Sequence, residues 1–179
     1  MAEGTQFAGL PRLIRNGRIE DTVSAVFEPA QDAPEGQLPP DEPGWIVPLT
    51  VWTAHEAALR QRRHPVGVLL APDSDPRVLA RDGRIDPEGL ALIAVSFPVY
   101  TDGRGYSLAQ TLRGPLGWRG ELRAVGDVMI DTLYYQARCG FDSFALKHGH
   151  DPQEALKALA TFSVVYQQAY PKPAAAPAQ

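Results

Sequence analysis

The stretch that decides the fold is "LALIAVSFPVYTDGRGYSLAQTLRGP", residues 90–115. Its first eight residues are apolar nearly throughout, which is typical of a strand buried on both faces of a parallel sheet. A turn containing Gly103 and Gly105 follows, and then about ten residues with a helical pattern that ends near Gly114 and Pro115. A buried strand, a turn and a helix in this order predict one βα unit.

The same order of elements recurs along the chain. Four further strands are predicted at residues 45–52, 66–71, 121–126 and 141–146. Further helices are predicted from Thr53, which stands at capping-box spacing from Glu56, and over residues 127–140 and 151–170. Strands that alternate with crossover helices imply an α/β fold with about five mainly parallel strands. This pattern fits two architectures, half of a β/α barrel and an open doubly wound sheet. The order of strand, helix, Gly-Phe-Asp and strand in residues 121–146 is common in barrels and slightly favours the first.

The ends of the chain differ from this pattern. Residues 1–27 contain alternating residues around Asn16-Gly17, which predicts a small two-stranded β ribbon. Residues 28–44 are rich in proline and acids and are predicted to be a linker or mobile loop. Residues 45–170 form the single α/β domain, and residues 171–179 are predicted to be a disordered tail.

Composition excludes several classes of protein. The net charge of −4, with acids and bases spread along the chain, argues against nucleic acid or an anionic membrane as partner. No apolar run is long enough to span a bilayer, and the N-terminus lacks the apolar core of a secretion signal. We therefore expect a cytoplasmic protein. The single Cys139 and the spacing of the four histidines predict no metal site. The sequence has no dinucleotide-binding fingerprint, so no cofactor is predicted.

Ligands of parallel sheets gather at the carboxyl ends of the strands. The residues expected at this edge are Asp102, Gly103, Arg104, Gly105, Ser107, Arg123, Asp127 and Lys147. The two glycines allow a sharp turn before a helix N-terminus, where Arg104 could hold a carboxylate, phosphate or sulfur oxyanion. The alternative is a plain βα turn with Ser107 as the helix cap.

Two charged residues in this set have competing interpretations. Arg123 lies in a predicted central strand, so it needs a carboxylate, and Asp102 and Asp127 are the nearest candidates. The resulting pair could serve a ligand site or only tie two loops together. Asp127 is a candidate catalytic acid or base, whereas its default role is to cap the helix that follows.

Three motifs are familiar together: "FPVYTDGRGYSLAQTLR", "GELRAVGDV" and "RCGFDSFAL". They resemble an uncharacterised bacterial family whose members are often labelled as oxidoreductases involved in sulfite reduction. The resemblance covers residues 45–146 and extends to "LIRNGRIEDT" near the start. Members are commonly encoded beside the assimilatory sulfite reductase hemoprotein and the enzyme that reduces activated sulfate, so the resemblance implies a role in sulfur assimilation.

Three functions are consistent with these observations. The first is an accessory protein of assimilatory sulfate and sulfite reduction, which binds a small anionic ligand or one of the two reductases at the strand edge. The second is an enzyme or oxidoreductase on sulfur metabolites, with Arg104 and Arg123 holding the oxyanion and Asp127 acting as acid or base. The third is a purely structural partner of sulfite reductase. A homo-oligomer is left open.

Overall fold

The computed structural model describes residues 12–21, 24–29 and 37–161, and these contain ten strands and four α-helices. The strands are β1 Leu13–Arg15, β2 Arg18–Glu20, β3 Ala25–Val26, β4 Trp45–Pro48, β5 Val66–Leu70, β6 Ala80–Arg81, β7 Arg84–Ile85, β8 Leu90–Phe97, β9 Glu121–Gly126 and β10 Ser143–Ala145. The helices are α1 Leu49–Arg60, α2 Arg104–Arg113, α3 Leu133–Arg138 and α4 Pro152–Leu159. None of the helices in this part of the chain is long and apolar enough to cross a membrane.

Eight strands form one curled sheet in the order β2-β1-β10-β9-β8-β5-β4-β3. The six strands from β10 to β3 are parallel, whereas β1 is antiparallel to both of its neighbours. The two outermost strands, β2 and β3, are joined by residues 21–24 alone. Such a link spans at most about 18 Å at 3.6 Å per residue, so the two edges of the sheet must approach each other. The sheet is a half-barrel rather than an open doubly wound sheet.

The two faces of the sheet have different environments. The outer face packs against the helices and forms the main core, which includes Ile93, Leu122, Trp52, Leu112 and Leu133. The inner, concave face has a smaller apolar cluster of Ile46, Leu92 and Ala94. Side chains on a strand alternate between faces, so β4 and β8 contribute buried residues to both clusters.

Several predicted boundaries are confirmed and others are wrong. Strands β8 and β9 and the end of α2 lie where the sequence places them. Asp151 caps α4 by accepting the N–H of Gln153, and Pro152 occupies the first helical position. Helix α1, however, begins at Leu49 rather than at Thr53, whose hydroxyl donates to the carbonyl of Thr50 within the helix. The strand predicted over residues 45–52 therefore ends at Pro48.

The predicted β ribbon is present but is not separate from the sheet. Asn16 and Gly17 have positive φ values of 50° and 73°, as the hairpin between β1 and β2 requires. Strand β1 then pairs with β10 and buries Leu13 and Ile14. The short strands β1, β2 and β3 account for the difference between eight strands and the expected five.

The predicted linker is packed along its second part. Pro39 is buried, Leu38 packs against the main core, and the carboxylate of Asp41 accepts the backbone N–H groups of Arg63 and His64, each over 3.1 Å. Residues 30–36 and the predicted tail, residues 171–179, lie outside the described residues.

Candidate functional site

The turn that follows β8 presents two apolar side chains at the carboxyl edge of the sheet. Val99 and Tyr100 are each about half exposed. The carbonyl of Val99 accepts the N–H of Asp102 over 3.0 Å, and the N–H of Tyr100 donates to Oδ2 of Asp127 over 3.0 Å. The backbone of this Val99–Tyr100 turn is therefore fixed at both of its residues.

Arg104, the first residue of α2, is paired with Asp102. Its Nη2 lies 2.7 Å from Oδ2 of Asp102, and its Nε and backbone N–H both donate to Oδ1, over 3.0 and 3.1 Å. The hydrogen bonds from the Arg104 side chain, and then from its backbone, hold the pKa of Asp102 below its ordinary value. The place predicted for an external anion is thus occupied by a carboxylate of the chain itself.

Asp127 joins the Val99–Tyr100 turn to the loop after β10. Its backbone N–H donates to the carbonyl of Phe97 over 2.7 Å, while its Oδ1 lies 2.7 Å from Nζ of Lys147. Gly126 has φ +95°, and a Cβ there would lie 2.5 Å from the oxygen of Phe97, so this close approach requires glycine. The Lys147 ammonium, and then the hydrogen bond from the Tyr100 N–H, hold the pKa of Asp127 below its ordinary value.

The predicted capping role of Asp127 is wrong. A short 3₁₀ turn, Ile130–Thr132, precedes α3, and the α-helix itself begins only at Leu133. Met129 before that turn is extended, with φ −95° and ψ 148°. Asp127 therefore lies outside the helix, and its carboxylate instead accepts the N–H of Tyr100 and forms an ion pair with Lys147.

Three other predicted site residues lie near this edge in different settings. Gly103 is the N-cap of α2, and a Cβ there would meet no atom within 4 Å. Gly105 is buried, and a Cβ there would lie 2.6 Å from Cζ of Phe97, so this glycine allows close packing in the core and does not face a ligand. Ser107 lies exposed within α2 and does not cap it.

Arg123 lies on the inner face of the sheet and is buried, as its position in a central strand predicts. Its carboxylate partner is Glu121, not Asp102 or Asp127: Nε and Nη2 of Arg123 donate to Oε1 of Glu121 over 2.8 and 2.6 Å. The reason is the period of two along a strand, which places residues 121 and 123 on the same face. The expected pairing of Arg123 with Asp102 or Asp127 at the carboxyl edge is therefore wrong.

Glu121 is the centre of a group of polar side chains on the inner face, the inner-face cluster, which consists of Arg15, Glu121, Arg123 and Ser143. The sequence alone does not single out Glu121. Glu121 also accepts the hydroxyl of Ser143 over 2.6 Å and Nη1 of Arg15 over 3.2 Å. Burial raises the pKa of Glu121, but the hydrogen bond from Ser143, the charge and hydrogen bonds of Arg123 and the hydrogen bond from Arg15 together outweigh burial and leave it below the ordinary value. Because Glu121 and Ser143 begin β9 and β10, the inner-face cluster lies toward the amino ends of the strands.

The remaining reactive groups do not add to either cluster. Within residues 12–21, 24–29 and 37–161, no group of three or more His, Cys, Asp or Glu residues could hold a metal ion. Cys139 is buried, and burial raises the pKa of its thiol, so the neutral form dominates near pH 7.

A family model described as "Bacterial protein of unknown function (DUF934)" matches residues 67–176, which is more than half of the chain. The chain belongs to this family. The DUF934 match includes β8, α2, β9 and β10, and hence both the Val99–Tyr100 turn and the pair of Glu121 and Arg123. No curated protein and no solved structure matches this DUF934 chain.

Proposed function

We propose that this chain is an accessory protein of assimilatory sulfate and sulfite reduction, and that it binds a pathway enzyme through the carboxyl edge of its sheet. The pathway is what the sequence resemblance implies, since members of that family are commonly encoded beside sulfite reductase and the activated-sulfate reductase. The binding role is inferred from the side chains at the edge.

The observation that carries the binding role is the Val99–Tyr100 turn. Two neighbouring apolar side chains are exposed there, while hydrogen bonds to Asp102 and Asp127 fix their backbone. A surface whose conformation is already fixed loses little entropy on association, and tyrosine is frequent among residues that dominate protein interfaces. These properties favour contact with another protein.

A small oxyanion fits this edge less well. Nε and Nη2 of Arg104 and the first helical N–H all donate to Asp102, so an oxyanion bound at the helix N-terminus, as the sequence predicts, would have to displace a carboxylate held by three hydrogen bonds. Lys147 is likewise paired with Asp127. The geometry therefore favours a protein partner over a free anion.

Acid–base catalysis by Asp127 is also less favoured. Both of its oxygens face donors, from Lys147 and Tyr100, and its pKa is lowered. An effective general base has a pKa near the operating pH, whereas a stabilised carboxylate accepts a proton poorly. The accessory role therefore agrees better with the geometry than the enzymatic alternative.

Purified components can test the proposal. The chain is mixed with the sulfite reductase hemoprotein or the activated-sulfate reductase of the same host, and binding is measured by titration calorimetry. We expect one enzyme to bind, and Tyr100→Ala to weaken binding about tenfold or more. Tyr135→Ala is the matched control, because Tyr135 is an equally exposed aromatic residue on α3.

Two outcomes would contradict the proposal in different ways. If neither enzyme binds the wild-type chain, the pathway role is rejected. If Tyr135→Ala weakens binding and Tyr100→Ala does not, the outer helices bind the enzyme, as expected of a purely structural partner.

A further inference from the structure

The geometry points to an acidic segment of the partner protein as the group that the carboxyl edge binds. Such a segment places an apolar side chain against Val99 and Tyr100, and its carboxylates against Arg104 and Lys147. The inference rests on the proposed function in taking the partner to be a protein, but it does not depend on which protein that is.

The two ion pairs at the edge share an asymmetry. In the first, the Arg104 side chain is 61% exposed and that of Asp102 only 12%; in the second, Lys147 is 52% exposed and Asp127 only 17%. Each carboxylate is thus turned inward, where it accepts a hydrogen bond from the backbone, and each cation is turned outward. An approaching molecule meets the two cations first.

Both cations retain donors for a second acceptor. A guanidinium has five N–H groups and an ammonium has three. In the part of the chain that the structure describes, Arg104 donates from Nε and Nη2 to Asp102, which leaves Nη1 free, and Lys147 is paired only with Asp127. A partner carboxylate can therefore bind at Nη1 of Arg104 without displacing Asp102.

The cations border the apolar turn through shared hydrogen bonds. Asp127 forms an ion pair with Lys147 through one oxygen and accepts the N–H of Tyr100 on the other. Asp102 pairs with Arg104 and donates its own N–H to Val99. One segment can therefore reach the apolar turn and both cations.

Apolar contact at Val99 and Tyr100 strengthens the interaction of the two cations with a partner. An exposed ion pair contributes little in water, because solvent screens it. When Val99 and Tyr100 are covered by a partner, water is excluded from the surroundings and the same charge contacts strengthen. A small free anion covers no apolar surface, which explains why a segment of protein suits this edge better.

Site-specific crosslinking in the native host tests the inference. Tyr100→p-benzoylphenylalanine is introduced into the full chain, and the same substitution at Tyr135 is the control. The crosslinked peptides are identified by mass spectrometry. We expect position 100 to crosslink to a peptide rich in Asp and Glu that also contains an apolar residue, and position 135 not to do so.

The charge contribution is tested in the same cells. Arg104→Glu should reduce crosslinking from position 100 about fivefold or more, because like charges then oppose each other. Arg104→Lys keeps the positive charge and should retain most of the crosslinking. Circular dichroism of both purified variants establishes that they are folded.

The outcomes separate this inference from the proposed function. An acidic peptide of a sulfur-assimilation enzyme supports both, whereas an acidic peptide of a protein outside that pathway supports the inference and rejects the pathway. A basic or uncharged peptide, a second copy of this chain, equal crosslinking at positions 100 and 135, or an unchanged yield in Arg104→Glu would each overturn the inference.

Discussion

Arg123 donates from Nη1 to Oγ of Ser24 over 2.9 Å, although Ser24 directly precedes β3 and three strands separate β3 from β9 in the sheet. In a flat sheet, four strand spacings of about 4.8 Å would place these positions about 19 Å apart. No arginine side chain spans that distance, so the hydrogen bond exists only because the sheet curls. Arg123 thus connects β9 to the start of the outermost strand across the inside of the half-barrel.

Removing Arg123 should strongly destabilise the fold. Arg123→Ala leaves Glu121 without its main cation in a largely buried position and breaks the contact with Ser24. Loss of one partner of a buried ion pair costs about 3–5 kcal/mol of unfolding free energy. Urea unfolding followed by circular dichroism measures this loss.

Arg104→Ala is the matched control for Arg123→Ala, because Arg104 also has a carboxylate partner two residues earlier in the chain but is exposed. Its unfolding midpoint should be nearly that of the wild type. Equal midpoints for the two variants would show that the inner-face cluster contributes nothing particular to stability.

The parts of the fold that the sequence predicts are those with long, distinctive patterns. Leu90–Phe97 is eight residues of mostly apolar side chains, and β8 has these bounds. Ala25–Val26, in contrast, is a strand of two residues, too short for any period to be detected. Its place in the sheet follows from the curl, which depends on contacts between residues distant in the chain.

The candidate site shows the same division. Chain order correctly brings Asp102, Arg104, Asp127 and Lys147 to the carboxyl edge, because residues after parallel strands share that edge. Chain order does not determine which carboxylate pairs with which cation. For Arg123, the partner follows from the period of two within β9, which places Glu121 on the same face. This pattern within one strand predicts the pair better than the position of Asp102 and Asp127 after neighbouring strands.

The pKa of Glu121 predicts how stability depends on pH. Its folded-state pKa lies below the unfolded value of about 4.3, so the unfolded chain binds more protons in that range. The stabilising contribution of Glu121 is therefore complete above about pH 4.3 and is lost as pH falls through the folded-state pKa. Glu121→Gln should be less stable than wild type at pH 7, and the difference should shrink in acid.

Urea midpoints of wild type and Glu121→Gln between pH 7 and pH 3 measure this difference in stability. The other titrating groups are common to both proteins, so their contributions cancel in the difference. Glu154→Gln, on the exposed surface of α4, is the control and should show no comparable narrowing. A difference between wild type and Glu121→Gln that is constant with pH would contradict the lowered pKa.

Two glycines at the start of α2, its N-cap Gly103 and Gly105 within its first turn, should respond differently to substitution by alanine. In Gly105→Ala, the new Cβ lies 2.6 Å from Cζ of Phe97, within the core, so either the ring or the helix must shift. Overpacking of this kind costs about 1–3 kcal/mol. In Gly103→Ala, the Cβ meets nothing within 4 Å and the backbone has φ −75°, so stability should hardly change. Thermal unfolding of the two variants measures the contrast, and similar melting temperatures would contradict it.

The last prediction concerns residues 28–44, whose composition is that of a linker. Asp41 differs from its neighbours, because its carboxylate accepts the backbone N–H groups of Arg63 and His64 after α1. Burial raises the pKa of Asp41, but these two hydrogen bonds and the charge of Arg62 together outweigh burial and leave it lowered, which indicates that they favour the charged form. Arg62 reinforces the contact by donating to the carbonyl of Pro39 over 3.0 Å.

Asp41→Ala should therefore lower the melting temperature measured by circular dichroism, because two backbone donors lose their acceptor. Glu42→Ala changes the adjacent exposed acid and should leave the melting temperature unchanged. Deletion of residues 171–179, the predicted tail, should also leave it unchanged, since that composition predicts no packed structure. An unchanged melting temperature in Asp41→Ala would mean that the segment from residue 37 to residue 44 connects β3 to β4 without stabilising the fold.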